Sequence, residues 1–262
     1  MKIGLALSGG GVRGMSHLGA LKALIEHGIR PDLIAGASAG AIVAGLYAYG
    51  YEPEEIETIV KNNVFKIIDI DYLQIICTLL NLRQIKTRGL SGFIKGQRLE
   101  KILRYYTDHQ KIKDTKIPVA ISATRVQNGD IFYFVSDKSS LTDEAKIKYV
   151  DDISLYDAIR ASIAFPALFQ PKDILYQGEM VSLMDGGVVD NIPIRVLQKM
   201  GADVVIGINL GYNGRMDRDI DSFIEIGEQA IAIMSYMITK KEYSSLERSI
   251  YIYNPEIWDI SL

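Results

Sequence analysis

The chain has 262 residues, enough to bury a large core, since a globular protein of this size removes roughly 70–75% of its unfolded surface from water. Hydrophobic residues make up 48% and charged residues 23%, which excludes a disordered chain, and the 7 prolines and 23 glycines follow no collagen-like period, which excludes a fibrous one. The formal net charge of −3 does not indicate nucleic-acid binding by bulk charge. The single cysteine, Cys77, excludes an internal disulfide and a Cys-based zinc cluster.

The amino terminus predicts a core strand rather than an export signal. Residues 2–7 form a short apolar run that glycines interrupt, whereas a signal peptide needs a longer apolar stretch and a small-residue cleavage site. The longest apolar stretch elsewhere, from Leu73 to Leu82, is about half of the roughly 20 residues that a membrane span needs. We therefore expect a soluble, cytoplasmic protein.

Strand-like and helix-like segments alternate along the chain. Asn128-Gly129-Asp130, between two strand-like segments, is a strong hairpin signal. Several strands are apolar throughout, which is typical of strands buried on both faces of a sheet. The pattern predicts an α/β protein with a largely parallel central sheet. The predicted strands are residues 2–7, 32–38, 117–126, 131–136, 180–184, 203–210 and 250–255, and the predicted helices are residues 15–25, 39–49, 54–62, 97–106 and 224–240.

The segment of residues 63–96 mixes apolar and basic side chains without a clear period. We interpret it as an insertion that packs on the core, or as a lid or membrane-facing flap with Leu73 to Leu82 as its contact surface. Nothing in the sequence reads as a linker, so we expect residues 1–262 to form a single domain.

A glycine-rich loop, GGGVRG, joins the first predicted strand to the first predicted helix. It fits G-x-G-x-x-G through Gly9, Gly11 and Gly14, and the helix N-terminus that follows favours an anion, either a phosphate or a transient oxyanion. A dinucleotide site also needs an acidic residue at the end of the second strand. Asp32 begins that strand instead, which argues against a dinucleotide-binding protein.

The segment GASAG has the G-x-S-x-G pattern at a predicted strand-to-helix junction. On such an elbow the serine hydroxyl is exposed at the carboxyl edge of the sheet. The small flanking residues Gly36 and Gly40 allow the strand and the helix to pack closely. Ser38 is therefore a candidate nucleophile, and a serine nucleophile needs a base.

The three histidines do not occupy the position expected of that base. His17 and His27 fall on the first predicted helix and His109 in a polar segment, whereas an α/β-hydrolase triad places its histidine after a late strand. We expect each of them to be a surface or partly packed residue. A carboxylate is the alternative base, because desolvation raises its pKa toward a useful range.

The segment DGGVVDNIP supplies two candidate carboxylates. Asp185 ends a predicted strand, and Gly186-Gly187 turns the chain. Because parallel strands end at one edge of a sheet, we expect Asp185 to meet Ser38 there. Asp190 competes as a candidate, but it lies beyond the turn and is expected to support the loop.

As an ordered set, these motifs resemble the patatin-like phospholipase family, which is similar to the catalytic module of cytosolic phospholipase A2. GGGVRG, GASAG and DGG occur in the family's order, and residues 161–171 (ASIAFPALFQP) and 122–134 (SATRVQNGDIFYF) resemble further shared stretches. The similarity extends from about residue 2 to residue 210. It implies a three-layer patatin-like α/β fold with helices on both faces of the sheet, and a lipid acyl hydrolase without cofactor or metal.

The resemblance also implies roles for individual residues. Ser38 would be the nucleophile and Asp185 the base of a Ser-Asp dyad that acts without histidine through an acyl-serine intermediate. The backbone N–H groups of the glycine-rich loop would bind the oxyanion. The implied oxyanion hole is Gly9, Gly10 and Gly11 with Arg13 bracing it or adding positive charge, the elbow glycines are Gly36 and Gly40, and the supporting turn is Gly186 and Gly187.

The expected partners are a lipid ester substrate and, transiently, the membrane surface that presents it; no nucleic acid is expected. Three other functions remain open at this point. One is a lipid-binding or regulatory protein that kept the fold without activity. The others are a dinucleotide-binding protein that uses GGGVRG and an ordinary α/β-hydrolase with a histidine triad.

Overall fold

The computed structural model describes residues 1–63, 66, 69, 92–214, 223–243 and 249–255. The predicted insertion of residues 63–96 lies largely outside these ranges, and its Leu73 to Leu82 stretch lies entirely outside them. In the described ranges, no helix combines the length and the apolar character that crossing a membrane requires.

Helices and strands alternate along the described chain. The helices are α1 Ser16–Glu26, α2 Ala39–Tyr49, α3 Pro53–Asn63, α4 Gln97–Thr107, α5 Leu155–Ser162, α6 Ile194–Lys199 and α7 Phe223–Tyr243. The strands are β1 Ile3–Leu7, β2 Leu33–Gly36, β3 Val119–Arg125, β4 Ile131–Val135, β5 Ile147–Val150, β6 Lys172–Tyr176, β7 Glu179–Asp185, β8 Val204–Ile208 and β9 Ile250–Tyr253. Short 3-10 turns cover Gly11–Met15, Ile112–Asp114 and Gly186–Val188.

The nine described strands form one sheet. Its order is β5-β4-β3-β2-β1-β8-β9, with β7 paired to β3 and β6 paired to β7. The pairs β1–β2, β1–β8, β2–β3, β4–β5 and β8–β9 are parallel, which confirms the largely parallel sheet. The predicted hairpin around Asn128-Gly129-Asp130 is also confirmed, since β3 and β4 pair antiparallel.

Side chains that alternate along β1 enter two different apolar clusters. Leu5 and Leu7 belong to a cluster with residues of α1 to α5, whereas Ala6 belongs to a cluster with residues of α6. Because successive side chains of a strand point to opposite faces of its sheet, the two clusters lie on opposite faces. Helices therefore cover both faces, and the predicted three-layer α/β fold is confirmed.

β7 enters the centre of the sheet beside the end of β2. β2 pairs with β3 as far as Gly36 opposite Ile121, and farther along β3, Ala123 pairs with Asp185 of β7. We expected Asp185 and Ser38 to meet because parallel strands end at one edge of a sheet. This reason is wrong, because β7 runs antiparallel to β3. The last residue of β7 nevertheless lies next to the point where β2 ends.

A hairpin explains the direction of β7. Gln177 and Gly178, between β6 and β7, have φ angles of 50° and 84°, as in a two-residue type I′ turn. β6 runs in the same direction as β3, and this turn reverses the chain, so β7 runs against β3. Neither this hairpin turn nor β5, α5, β6 and α6 was predicted from the sequence.

Candidate active site

Ser38 lies on a sharp turn between β2 and α2. Its backbone has φ 51° and ψ −122°, a conformation that costs a non-glycine residue on the order of 1–3 kcal/mol. Gly36 and Gly40 make the turn possible, because a Cβ at position 36 would lie 2.4 Å from the Gly40 carbonyl oxygen and one at position 40 would lie 2.4 Å from the Leu7 carbonyl oxygen. The turn places Ser38 at the N-terminus of α2, where the helix dipole favours negative charge.

Ser162, the last residue of α5, holds this turn in place. The backbone N–H of Ser38 donates a hydrogen bond to Ser162 Oγ at 2.9 Å, and Ser162 is completely buried. Ser162 lies within residues 161–171, but no role for this serine was predicted from the sequence.

Asp185 ends β7 in a buried position beside Ser38. Its backbone N–H donates to the Ala164 carbonyl at 3.0 Å, and its Oδ1 accepts from the Gly187 N–H at 2.7 Å. Its Oδ2 is buried and has no hydrogen-bond partner among the described residues. Burial raises the pKa of Asp185 to about 7, although the Ser38 hydroxyl and the Gly187 N–H both act to lower it. A carboxylate with this pKa can accept a proton near neutral pH.

The turn after Asp185 is packed against both β3 and α7. A Cβ at position 186 would lie 2.3 Å from the Ser122 carbonyl oxygen, which explains the need for Gly186. Ser235 of α7 donates its hydroxyl to the Gly187 carbonyl at 2.7 Å. That α7 supports the turn after Asp185 was not predicted from the sequence.

Asp190, the competing carboxylate, supports the same loop. The Tyr133 hydroxyl donates a hydrogen bond to its carboxylate, and the Ser122 hydroxyl lies 3.4 Å from its carbonyl oxygen. These bonds tie the loop to β3 and β4, which agrees with the expected supporting role.

The glycine-rich loop lies directly against Ser38. A Cβ at position 9 would lie 3.1 Å from the Ser38 Cβ, so Gly9 permits this close approach. The Gly9 N–H donates to Asn191, to the side-chain Oδ1 at 3.1 Å and to the carbonyl oxygen at 3.2 Å. The N–H groups of Gly10 and Gly11 have no acceptor among the described residues, which leaves them available to a ligand.

Arg13 lies on the 3-10 turn that follows these glycines. Its backbone N–H donates to the Gly10 carbonyl at 3.1 Å, which closes the turn. Its side chain is exposed and makes no hydrogen bond or ion pair within the described parts of the chain. The guanidinium is therefore free to meet an anionic group near the loop.

The three histidines are engaged elsewhere, and none hydrogen-bonds to Ser38 or Asp185. His17 is completely buried, which contradicts the expected surface or partly packed position, and its Nε2 donates to the Ser8 carbonyl at 2.7 Å beneath the glycine-rich loop. Burial lowers the pKa of His17 to about 4, so it is neutral near neutral pH. His27 Nδ1 lies 2.8 Å from the Ala23 carbonyl oxygen, and His109 packs edge-on against a tyrosine ring.

Asp32 lies at the wrong end of β2 for a dinucleotide site. It precedes β2, and its Oδ2 accepts a hydrogen bond from the Ile3 N–H at 2.7 Å. Its carboxylate is thus at the amino end of β1 and β2, whereas the glycine-rich loop follows the carboxyl end of β1.

Comparisons with known proteins indicate the family to which this chain is similar. A family model described as patatin-like phospholipase matches residues 5–197. Lysophospholipase NTE1 of Meyerozyma guilliermondii is 31% identical over 209 residues, covering 80% of this chain and 12% of the relative. YqhO of Bacillus subtilis, an uncharacterized protein, is 31% identical over 226 residues, covering 82% of this chain and 73% of YqhO. The chain thus corresponds to a small part of the lysophospholipases and to most of YqhO.

Among solved structures, VipD from Legionella pneumophila has a similar fold. The TM-score is 0.52 at 17% sequence identity, and the match covers 97% of this chain and 61% of VipD. Similarity at this level of identity concerns the arrangement of helices and strands.

Proposed function

Because the chain belongs to the patatin-like phospholipase family, we propose that it is a serine acyl hydrolase that cleaves acyl ester bonds of lipids. Ser38 is the nucleophile and Asp185 is its base. The observation that carries this proposal is the buried Asp185 carboxyl, whose pKa is raised to about 7 and whose environment includes the hydroxyl of Ser38 on its strained turn.

The reaction proceeds in two stages. Asp185 accepts the proton of Ser38 Oγ as that oxygen attacks the acyl carbonyl carbon. The bond between this carbon and the alcohol oxygen then breaks, Asp185 returns the proton to the leaving alcohol, and an acyl-serine remains. Water attacks the acyl carbon and gives its proton to Asp185. The bond to Ser38 Oγ breaks, Ser38 regains a proton, and the fatty acid leaves.

Gly10 and Gly11 supply the N–H groups that bind the oxyanion. Their lack of acceptors among the described residues supports this role, whereas the Gly9 N–H is already bonded to Asn191. Gly9 contributes instead by its missing side chain, which lets the loop approach Ser38. Removing one oxyanion donor typically costs about 2.7–4 kcal/mol of transition-state stabilisation. Arg13 adds positive charge at the same loop.

The substrate class we propose is a phospholipid or glyceride held at a membrane surface, which the protein contacts through α7. One face of α7 is fixed to the base turn by Ser235, and the opposite face is apolar and exposed. Lys240 and Lys241, in the last turn, would attract anionic head groups. The exposed apolar side chains opposite Ser235 are Ile226, Ile233 and Met237, and Met234 and Ile238 are exposed along one flank of the helix.

We propose that residues 1–262 act as one domain. The pairing of β1 with β8, and of β8 with β9, supports this, because it joins the beginning of the chain and residues near its end in a single sheet.

Fatty-acid release from lysophosphatidylcholine, phosphatidylcholine and diacylglycerol tests the proposal. We expect wild type to turn over at least one of them, and Ser38→Ala to lower the rate by at least about a thousandfold. Ser136→Ala, which removes a serine hydroxyl outside the site, is the control and should keep full activity. Turnover that survives Ser38→Ala would overturn the proposal. Vesicle binding by a protein that releases no fatty acid would favour the lipid-binding alternative.

A further inference from the structure

Asn191 lies where three glycine-containing turns meet. Its Oδ1 accepts a hydrogen bond from the Gly9 N–H at 3.1 Å. A Cβ at position 187 would lie 2.8 Å from that same Oδ1, and a Cβ at position 211 would lie 2.8 Å from Asn191 Nδ2. The carboxamide therefore packs against the glycine-rich loop, the turn that carries the base, and the turn that follows β8.

The Gly9 N–H is held twice by the same residue. It points at both the side-chain Oδ1 of Asn191 and the Asn191 carbonyl oxygen, at 3.1 and 3.2 Å. Because peptide units are planar, holding the Gly9 N–H fixes the Ser8–Gly9 unit, and the directions of the next two N–H groups then depend only on the φ and ψ angles of Gly9 and Gly10. Those belong to Gly10 and Gly11, which have no acceptor among the described residues.

We propose that Asn191 is a positioning residue. It orients the Gly10 and Gly11 N–H groups and holds the oxyanion loop against the turn that follows Asp185. This inference rests on the proposed acyl hydrolase function and adds a residue to it. Among the described residues, Asn191 hydrogen-bonds to neither Ser38 nor Asp185. It acts by holding one side of the site at a fixed distance from the other, and small misplacements of catalytic groups cost large factors in rate.

A neutral carboxamide suits this position. The position that a Gly187 Cβ would occupy is 2.8 Å from Asn191 Oδ1 and 3.1 Å from Asp185 Oδ1, so the two side-chain oxygens lie near each other. Burial, the Ser38 hydroxyl and the Gly187 N–H are the influences on the pKa of Asp185 in the described part of the chain, and no charged side chain is among them. A carboxylate at position 191 would add a like charge next to the base.

The test compares Asn191→Ala and Asn191→Asp with wild type in the full-length chain, using a soluble p-nitrophenyl ester. Asn128→Ala is the matched control, because Asn128 also accepts a backbone hydrogen bond, in the hairpin turn between β3 and β4. Asn191→Ala keeps the backbone acceptor for the Gly9 N–H and loses the side-chain one. We expect its kcat to fall by about 10- to 100-fold while its KM stays within about twofold of wild type.

Asn191→Asp separates positioning from simple packing. It keeps the Oδ1 acceptor and the side-chain volume, so the loop should stay in place. We expect the acidic limb of its kcat/KM profile to shift to higher pH, because the new charge disfavours ionisation of Asp185. Asn128→Ala should match wild type in kcat and in the pH profile.

Each result decides the inference. A wild type that is inactive on every ester overturns both the proposed function and this inference. An active wild type with a kcat for Asn191→Ala within about twofold of its own overturns the inference alone. If Asn191→Ala is unfolded by circular dichroism, Asn191→Asp decides, and an unshifted acidic limb in that variant overturns the inference.

Discussion

The backbone N–H of Ser38 donates a hydrogen bond to Ser162 Oγ, which joins the elbow to the C-terminal end of α5 across 124 residues of sequence. The strained backbone of Ser38 needs such a bond, because a conformation of this kind persists only where surrounding contacts hold it. Without this bond the Ser38 N–H would have no acceptor among the described residues. Ser162 therefore fixes the direction in which Ser38 presents its hydroxyl.

Ser162→Ala should lower both stability and kcat. A partly buried N–H without an acceptor costs about 1–3 kcal/mol, and we expect the released turn to lower kcat by about tenfold or more. Thermal unfolding and ester kinetics measure the two effects. Ser136→Ala is the control, since Ser136 Oγ also accepts a backbone N–H, from Val119 at 3.0 Å, outside the site. Equal loss of kcat in both variants would contradict a specific role for Ser162.

The pH dependence of kcat/KM identifies the base. Asp185 must be deprotonated to accept the Ser38 proton, and burial raises its pKa to about 7, so the rate should rise with pH and level off above about 7. A limb near 4 would contradict this, since it is the pKa of an unperturbed aspartate, about 3.9. Stopped assays in overlapping buffers measure this limb, and Asp185→Asn should lower kcat by at least about a hundredfold.

Asp185→Asn should stabilise the fold above neutral pH. The pKa of Asp185 is about 7 in the folded chain, above the ~3.9 of an unperturbed aspartate, so the unfolded chain loses this proton first. Wild type therefore loses stability as pH rises from about 4 to about 7. At pH 8 the variant should unfold with a free energy higher by on the order of 1 kcal/mol or more.

Asp130→Asn should have the opposite effect on the stability of the fold at pH 8. Burial acts to raise the pKa of Asp130, but hydrogen bonds from Asn128 and Lys146 outweigh it, and the pKa is lowered. Its ionised form therefore stabilises the fold above about pH 4, and removing it should lower the melting temperature at pH 8. A fall in melting temperature for Asp185→Asn at this pH would contradict the claim that the buried, ionised Asp185 carboxylate destabilises the fold.

The apolar face of α7 should carry the membrane contact. Ile233→Asp combined with Met237→Asp places two negative charges on it, and we expect flotation with anionic vesicles to be lost while turnover of a soluble ester is kept. Leu175→Asp combined with Met180→Asp, on the exposed β6–β7 hairpin, is the control and should still float. Flotation of the α7 double variant at the wild-type level would reject this surface.

The sequence was sufficient for the parts of the site that depend on local pattern. Gly36 and Gly40 around Ser38 indicated an elbow because larger side chains would clash in so close a strand-to-helix turn. The structure places Ser38 on such a turn. Gly186 and Gly187 after Asp185 likewise marked a turn at a strand end. Apolar runs separated by helical periods were enough to predict the α/β layers.

The contacts that support the site could not be predicted from the sequence, because they join segments that are far apart along the chain. Ser162 is 124 residues from Ser38, Asn191 is 182 residues from Gly9, and Ser235 is 48 residues from Gly187. No local period or spacing encodes such pairs. The direction of β7 was mistaken for a related reason, since it depends on a Gln177-Gly178 turn that lacks the usual Asn-Gly or Asp-Gly signature.

Covalent trapping of Ser38 is the most direct test of the central claim. The folded protein would be treated with a fluorophosphonate at pH 8, and the modified peptide located by mass spectrometry. The account predicts one adduct, on Ser38, absent from Ser38→Ala and formed at least about tenfold more slowly in Asp185→Asn. An adduct on another serine, or equal labelling rates for wild type and Asp185→Asn, would contradict a Ser38 nucleophile activated by Asp185.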